Sequence, residues 1–155
     1  MTWRELRAIA RRDLSGAGIG TAEAEVRYLL EHVSGSEAGE WPAIADVVAP
    51  ARAERELREM LRRRIAGEPL QYVLGGWGFR GLDLFVDRRV LIPRPETEYV
   101  VEVALEEAAR SGLQRSRRRI ALVEPTPHSA VADIGTGSGA IALAIAAELP
   151  QVEVW

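Results

Sequence analysis

Apolar residues recur at helical spacing three times before residue 67. Trp3, Leu6, Ile9, Ala10 and Leu14 form the first stripe, behind a Thr2-x-x-Glu5 capping box, with Gly16 and Gly18 as the stop. Val26, Leu29, Leu30 and Val33 mark a second helix over Thr21 to Val33, ended by Gly35. Residues 36–49 are less periodic and predict at most a short helix around Trp41-Pro42. A third helix follows Pro50 to about Ala66, with Ala53, Leu57, Met60, Leu61 and Ile65 on its apolar face and Gly67 as its cap. Its opposite face, with Arg52, Glu56 and Arg63, reads as solvated.

The pattern changes near residue 75. Gly75-Gly76-Trp77-Gly78-Phe79-Arg80-Gly81 breaks any helix, and Leu82, Leu84 and Val86 then alternate with Asp83, Phe85 and Asp87. This predicts a hairpin over about 77–92, with Trp77, Phe79 and Phe85 in its core. Pro93 and Pro95 hold Ile92 and Arg94 extended. A helix from about Glu96 to Arg110 follows, with Val100, Val101, Ala104, Leu105 and Ala108 on one side and Gly112 as its end. Residues 113–129 read as an irregular connection with a solvated basic run, Arg117-Arg118-Arg119. Ala130 to Ile134 predicts a short buried strand. Ala140 to Leu149 is apolar nearly all round and predicts a buried helix, and Val152 to Trp155 begins another strand.

Composition narrows the function classes. The chain has 155 residues, 47% hydrophobic and 28% charged, as in an ordinary globular protein. A net charge of -3 argues against a general nucleic-acid binder, and the basic run lacks the interleaved aromatics of single-strand binders. No cysteine is present, and His32 and His128 have no ligand-like spacing, so neither disulfides nor a metal site is expected. Both histidines read as ordinary surface or core residues. The longest apolar runs fall short of the roughly 18 residues of a membrane span, and the N-terminus lacks a signal-peptide core. A cytoplasmic, monomeric protein with no membrane or direct nucleic-acid partner is expected.

The candidate chemistry lies between the last two predicted strands. Gly135-Thr136-Gly137-Ser138-Gly139 is a glycine turn running from a strand into a helix. Glycine allows a sharp turn and close approach of a ligand to the backbone, and the helix start behind it offers free N–H groups. Such a turn suits a dinucleotide pyrophosphate or the adenosyl and amino-acid parts of S-adenosylmethionine (AdoMet). It also suits plain strand–helix packing. Asp133, two residues before the first glycine, could reach the cationic methionine end of AdoMet or cap the helix.

Further segments make the pattern specific. Arg62-Arg63-Arg64-Ile65-Ala66-Gly67-Glu68-Pro69-Leu70-Gln71-Tyr72 is similar to the R-R-x-x-G-E-P-x-x-Y/H segment of the release-factor glutamine methyltransferases, the HemK/PrmC family. Gly78-Phe79 with Leu84-Phe85-Val86 resembles that family's hairpin. Leu91-Ile92-Pro93-Arg94-Pro95-Glu96-Thr97-Glu98 resembles its L-I-P-R-P-x-T-E signature, and Asp133 to Leu143 resembles its AdoMet loop. The segments occur in the family's order.

The resemblance implies an α+β protein in three parts. A helical release-factor-recognition domain would occupy residues 1–73 and a β-hairpin linker residues 74–93. Residues 94–155 would begin a truncated, Rossmann-like AdoMet-dependent methyltransferase domain. The implied activity is N5-methylation of the glutamine in the Gly-Gly-Gln motif of peptide chain release factors, with AdoMet as cofactor. Asp133, Gly135, Thr136, Gly137, Ser138 and Gly139 are the implied cofactor residues. Arg94, Thr97 and Glu98 are implied to line the cofactor and substrate pocket. The catalytic residues are unassigned, because the family's Asn-Pro-Pro-Tyr motif occurs nowhere in these 155 residues. The ribose-binding acid expected after the second strand is absent too, and the 113–129 connection is long for the family. An N-terminal fragment, inactive by itself, is therefore expected. A nicotinamide-dependent oxidoreductase fragment and a non-catalytic release-factor-binding module are the rival readings.

Overall fold

The computed structural model describes residues 1–110 and 130–155; Gly112, the 113–129 connection and His128 lie outside the described residues. The protein is helix-rich α+β and divides into two compact units, Met1–Gly75 and Gly76–Trp155.

The first unit is built from α1 (Trp3–Gly16), α2 (Ala22–Ser34), a 3-10 turn (Ala38–Glu40), the short α3 (Trp41–Ile44), α4 (Ala51–Ile65) and the single-turn α5 (Leu70–Leu74). The capping box at α1 forms as its sequence predicts: Glu5 N–H donates to Thr2 Oγ1, and Thr2 N–H to Glu5 Oε2. Two more free donors of that first turn are taken up by the loop after α3. Trp3 N–H bonds Val47 O and Arg4 N–H bonds Ala45 O, which pins the aperiodic 45–49 segment to the helix start. The stripes of α1, α2 and α4 meet in one core around Leu6, Leu14, Leu29 and Leu57. Each such leucine contributes about 1.5–3 kcal/mol by leaving water.

Ile65, expected on the apolar face of α4, is 45% exposed, because it is the last residue of the helix and lies outside the core that takes in Leu57, Met60 and Leu61. α4 closes in a Schellman motif: Gly67 takes φ +93°, its N–H bonds Arg64 O, and Glu68 N–H bonds Arg63 O. That reversal places Glu68 and α5 back against the end of α4. Arg63, expected to be solvated, is half-buried there. Its guanidinium donates to both Glu68 carboxylate oxygens and to the carbonyls of Tyr72 and Val73 in the last turn of α5. The five residues of α5 carry too few apolar repeats to announce a helix.

The second unit contains β1 (Gly76–Phe79), β2 (Leu82–Phe85), α6 (Pro95–Arg110), β3 (Ala130–Val131), α7 (Ala140–Glu148) and β4 (Glu153–Val154). β1 and β2 pair antiparallel, with Phe79 opposite Leu82 and Trp77 opposite Leu84. This register puts Phe79 and Leu84 on the buried face. Phe85, expected in the hairpin core, pairs with Gly76 on the other face and is 71% exposed. The ladder ends at Phe85 rather than near residue 92, because Asp87 starts a turn: its carbonyl accepts from Val90 N–H and its carboxylate from Arg89. α6 begins at Pro95 and buries Val101 and Ala108, while Val100, predicted on the same side, is half exposed.

β3 and β4 pair in parallel and are joined through α7, so this segment is a βαβ arrangement. It is less buried than its composition predicts. Ile134 is 95% exposed and Leu143 50%. Among the described residues the sheet has two strands, and α7 packs chiefly on α6 and β4, which leaves part of the helix surface exposed.

Candidate functional site

The glycine turn sits where the sequence placed it, at the C-terminal end of β3 and the start of α7. β3 is extended past Val131 by ladder bonds, Trp155 N–H to Val131 O and Asp133 N–H to Trp155 O. The chain then reverses through Gly135, Gly137 and Gly139 at φ +83°, +57° and +78°. Residues with a Cβ rarely adopt these angles, which is a backbone reason for glycine at all three positions. Crowding adds little. A Cβ on Gly135 would meet nothing within 4 Å, and one on Gly139 would make ordinary contact with the Leu143 side chain.

Gly139 caps α7, and its own N–H bonds Thr136 O at 2.8 Å. The Asp133 side chain reaches forward to the helix, where Oδ2 accepts from Ala142 N–H at 3.2 Å. Asp133 is therefore a helix cap supplied from the strand end, with a favourable place for negative charge at a helix N-terminus. Its second oxygen has no partner among the described residues. Nor do the N–H groups of Ala140 and Ile141 in the first turn of α7. Thr136 and Gly137 are exposed and Ser138 is half-buried, so the turn presents open donors beside an unspent carboxylate oxygen. That combination can hold a polar ligand against bare backbone.

Arg94, Thr97 and Glu98 are placed differently. Arg94 is exposed just before α6, and its carbonyl accepts from Thr97 N–H as the helix begins. Glu98 is half-buried and engaged in a cluster that the sequence did not announce. Glu98 Oε1 accepts from Arg80 N–H at 3.3 Å, and Glu98 O accepts from Arg80 Nη1. The same guanidinium donates to both carboxylate oxygens of Glu148 at 2.7 and 3.1 Å. Glu148 is the last residue of α7. The start of α6 is thus held beside the end of α7 remote from the glycines, about 13 Å away along nine helical residues at ~1.5 Å each. The hydrogen bonds described for Arg94, Thr97 and Glu98 are made within the start of α6 and with Arg80 of the hairpin turn.

Arg80 was visible in the sequence only as part of a helix-breaking run. The signal that could have found it is the Arg-Gly pair between alternating apolar residues, a two-residue hairpin turn. Elsewhere, a cavity of about 160 Å³ in the helical unit is walled by Arg7, Leu30 and Trp41, with the Arg7 guanidinium 5.3 Å from the Trp41 ring centre. No residue singled out from the sequence as a site lines it. His32 lies at the surface, 3.8 Å from Glu56. No cluster of metal-ligating side chains and no helix long and apolar enough to cross a membrane occur among the described residues.

Comparison with known proteins agrees with the sequence motifs. The family model described as the PrmC N-terminal domain matches residues 5–75. A release factor glutamine methyltransferase of Haemophilus influenzae is 36% identical over 153 residues, covering 98% of this chain and 49% of that protein. One from Deinococcus radiodurans is 36% identical over 154 residues, covering 99% and 50%. One from Bordetella pertussis is 41% identical over 136 residues, covering 87% and 44%. The chain spans about half the length of the curated relatives it matches. With the matched N-terminal domain and the relatives aligned through the hairpin and glycine turn, the chain belongs to the release factor glutamine methyltransferase (PrmC) family.

Proposed function

We propose that this chain contributes the recognition domain and the first part of the cofactor domain to a protein-glutamine N5-methyltransferase. The methyl donor is AdoMet and the acceptor is the Gly-Gly-Gln glutamine of a peptide chain release factor. On this reading residues 1–73 recognise the release factor, 74–93 form the hairpin linker, and 94–155 begin a Rossmann-like methyltransferase domain. One observation carries the proposal. The glycine turn heads a βαβ segment whose first N–H groups and second Asp133 oxygen have no partner among the described residues, in a chain whose relatives are named as methyltransferases.

In this chain Gly135, Gly137 and Gly139 would give AdoMet bare backbone, Thr136 and Ser138 would line the same turn, and Asp133 Oδ1 would be available to its ammonium group. AdoMet supplies an electrophilic methyl group. An amide nitrogen is a weak nucleophile, so the reaction depends on orienting the acceptor NH2. The family's Asn-Pro-Pro-Tyr segment does that, and these 155 residues do not contain it. The activity is accordingly assigned to the whole protein, of which this chain is a contributing part.

Two measurements test the reading. Calorimetric titration of the whole protein, with the residues carrying Asn-Pro-Pro-Tyr present, is expected to give heat with AdoMet and none with NAD; the reverse would favour a nicotinamide-dependent oxidoreductase. Incubation with labelled AdoMet and release factor is expected to transfer label only when the residues carrying Asn-Pro-Pro-Tyr are also present. Transfer by the 155 residues alone would show that other side chains carry the chemistry.

A further inference from the structure

Arg80 is the one residue other than glycine with positive φ among the described residues, at +46°. It forms the hairpin turn with Gly81 at φ +75°, and a turn with both central residues left-handed normally takes Asn-Gly or Gly-Gly. Arginine is strained there, and such strain persists only where surroundings over-determine it. The surroundings here are Glu98 and Glu148. Arg80 N–H meets the Glu98 carboxylate, Nη1 meets Glu98 O, and Nε and Nη2 grip Glu148 bidentately. The Arg80 side chain is 19% exposed and that of Glu148 39%, so a half-buried guanidinium makes a two-bond, charge-assisted grip at the surface.

Glu148 is also out of place by itself. An acid in the last turn of α7 opposes the helix dipole, and no basic residue stands in that turn. Arg80 supplies the missing positive charge from the hairpin. α7 is therefore held by side chains at both ends: Asp133 on Ala142 N–H at the start and Arg80 on Glu148 at the finish. A nine-residue helix is rigid, so fixing its far end fixes the direction of the glycine turn at its head.

We propose that Arg80 is a positioning residue for the cofactor loop, acting through Glu148 to set the axis of α7. The assignment rests on the AdoMet reading, and its test separates the two. In Arg80→Gly the turn keeps its shape and loses its strain, while every tie to α6 and α7 made by the side chain is removed. Glu148→Gln weakens the grip without touching the turn. In both variants, hydrogen exchange at Ala142 and Leu143 is expected to speed up roughly tenfold or more, as for a loss of local stability of that ratio. The melting temperature of Arg80→Gly is expected to hold, because relief of strain offsets lost bonds. AdoMet affinity is expected to fall by a similar factor in both variants and to recover in part in Arg80→Lys. Unchanged exchange at Ala142 and Leu143 would overturn the proposal. So would faster exchange in Arg80→Gly with normal exchange in Glu148→Gln. Faster exchange in both, in a protein that binds no AdoMet to begin with, would uphold the role of Arg80 on α7 and overturn the cofactor reading instead.

Discussion

Glu25 and Arg64 meet across α2 and α4 with their side chains 9% and 20% exposed, and Arg64 donates to both Glu25 oxygens at 2.7 and 3.1 Å. Burial pushes the Glu25 carboxyl up, and hydrogen bonds from Arg64 and Thr21 together outweigh it and hold it below its ordinary range. A carboxyl depressed in the folded state contributes stability that is present above the ordinary value of ~4.3 and lost as pH falls through the depressed one. Arg64→Met leaves a buried charge unpaired, and is expected to cost about 3 kcal/mol at neutral pH. At pH 3 the loss is expected to shrink, because Glu25 then takes up a proton. Urea denaturation at the two pH values measures this, and an equal loss at both would contradict it. Gly137→Val is a second prediction at this scale. At φ +57° a branched side chain strains the turn by roughly 1–2 kcal/mol. In the whole protein the heat of AdoMet binding is expected to fall sharply while helical circular dichroism of the first unit persists.

Among the elements, the end of α4 shows what a short motif does physically. Gly67 reverses the chain, Glu68 faces Arg63, and Arg63 caps the last carbonyls of α5. The Arg-Arg-x-x-Gly-Glu-Pro pattern was legible as a resemblance, yet its use as a clamp was not, since periodicity assigns Arg63 to a polar face. Lysine has neither the fork nor the reach to satisfy one carboxylate and two carbonyls together. Arg63→Lys is expected to lower stability by about 2 kcal/mol, measured by denaturant unfolding of the helical unit. A loss under a few tenths would mean that water replaces the clamp. The hairpin teaches a similar point: alternation predicted its strands, while only the pairing register separated buried Phe79 from exposed Phe85.

Over the whole molecule, the two units differ in how completely they bury what they carry. Residues 1–75 enclose one core, and expressed alone are expected to lose helical circular dichroism in a single cooperative melt. A featureless melt would count against an independent fold. Residues 76–155 leave Phe85, Leu91, Tyr99, Ile134 and Trp155 each more than two-thirds exposed. That piece is expected to bind a hydrophobic dye strongly and to aggregate at concentrations where the first unit stays dispersed. Dye binding no greater than that of residues 1–75 would contradict this.

Helices α1, α2 and α4, the capping box of α1 and the glycine turn were decided by the sequence itself, because they rest on forces between near neighbours. A capping box spans three residues, a helical stripe repeats within four, and a left-handed φ selects glycine wherever it falls. Tertiary structure decided what depends on residues far apart in the chain. Arg80 reaches Glu148 across 68 positions and Arg64 reaches Glu25 across 39. Composition marked Ala140 to Leu149 as interior, yet burial needs a second surface as well as an apolar one. Among the described residues α7 finds that surface mainly in α6 and β4, and half of Leu143 remains in water.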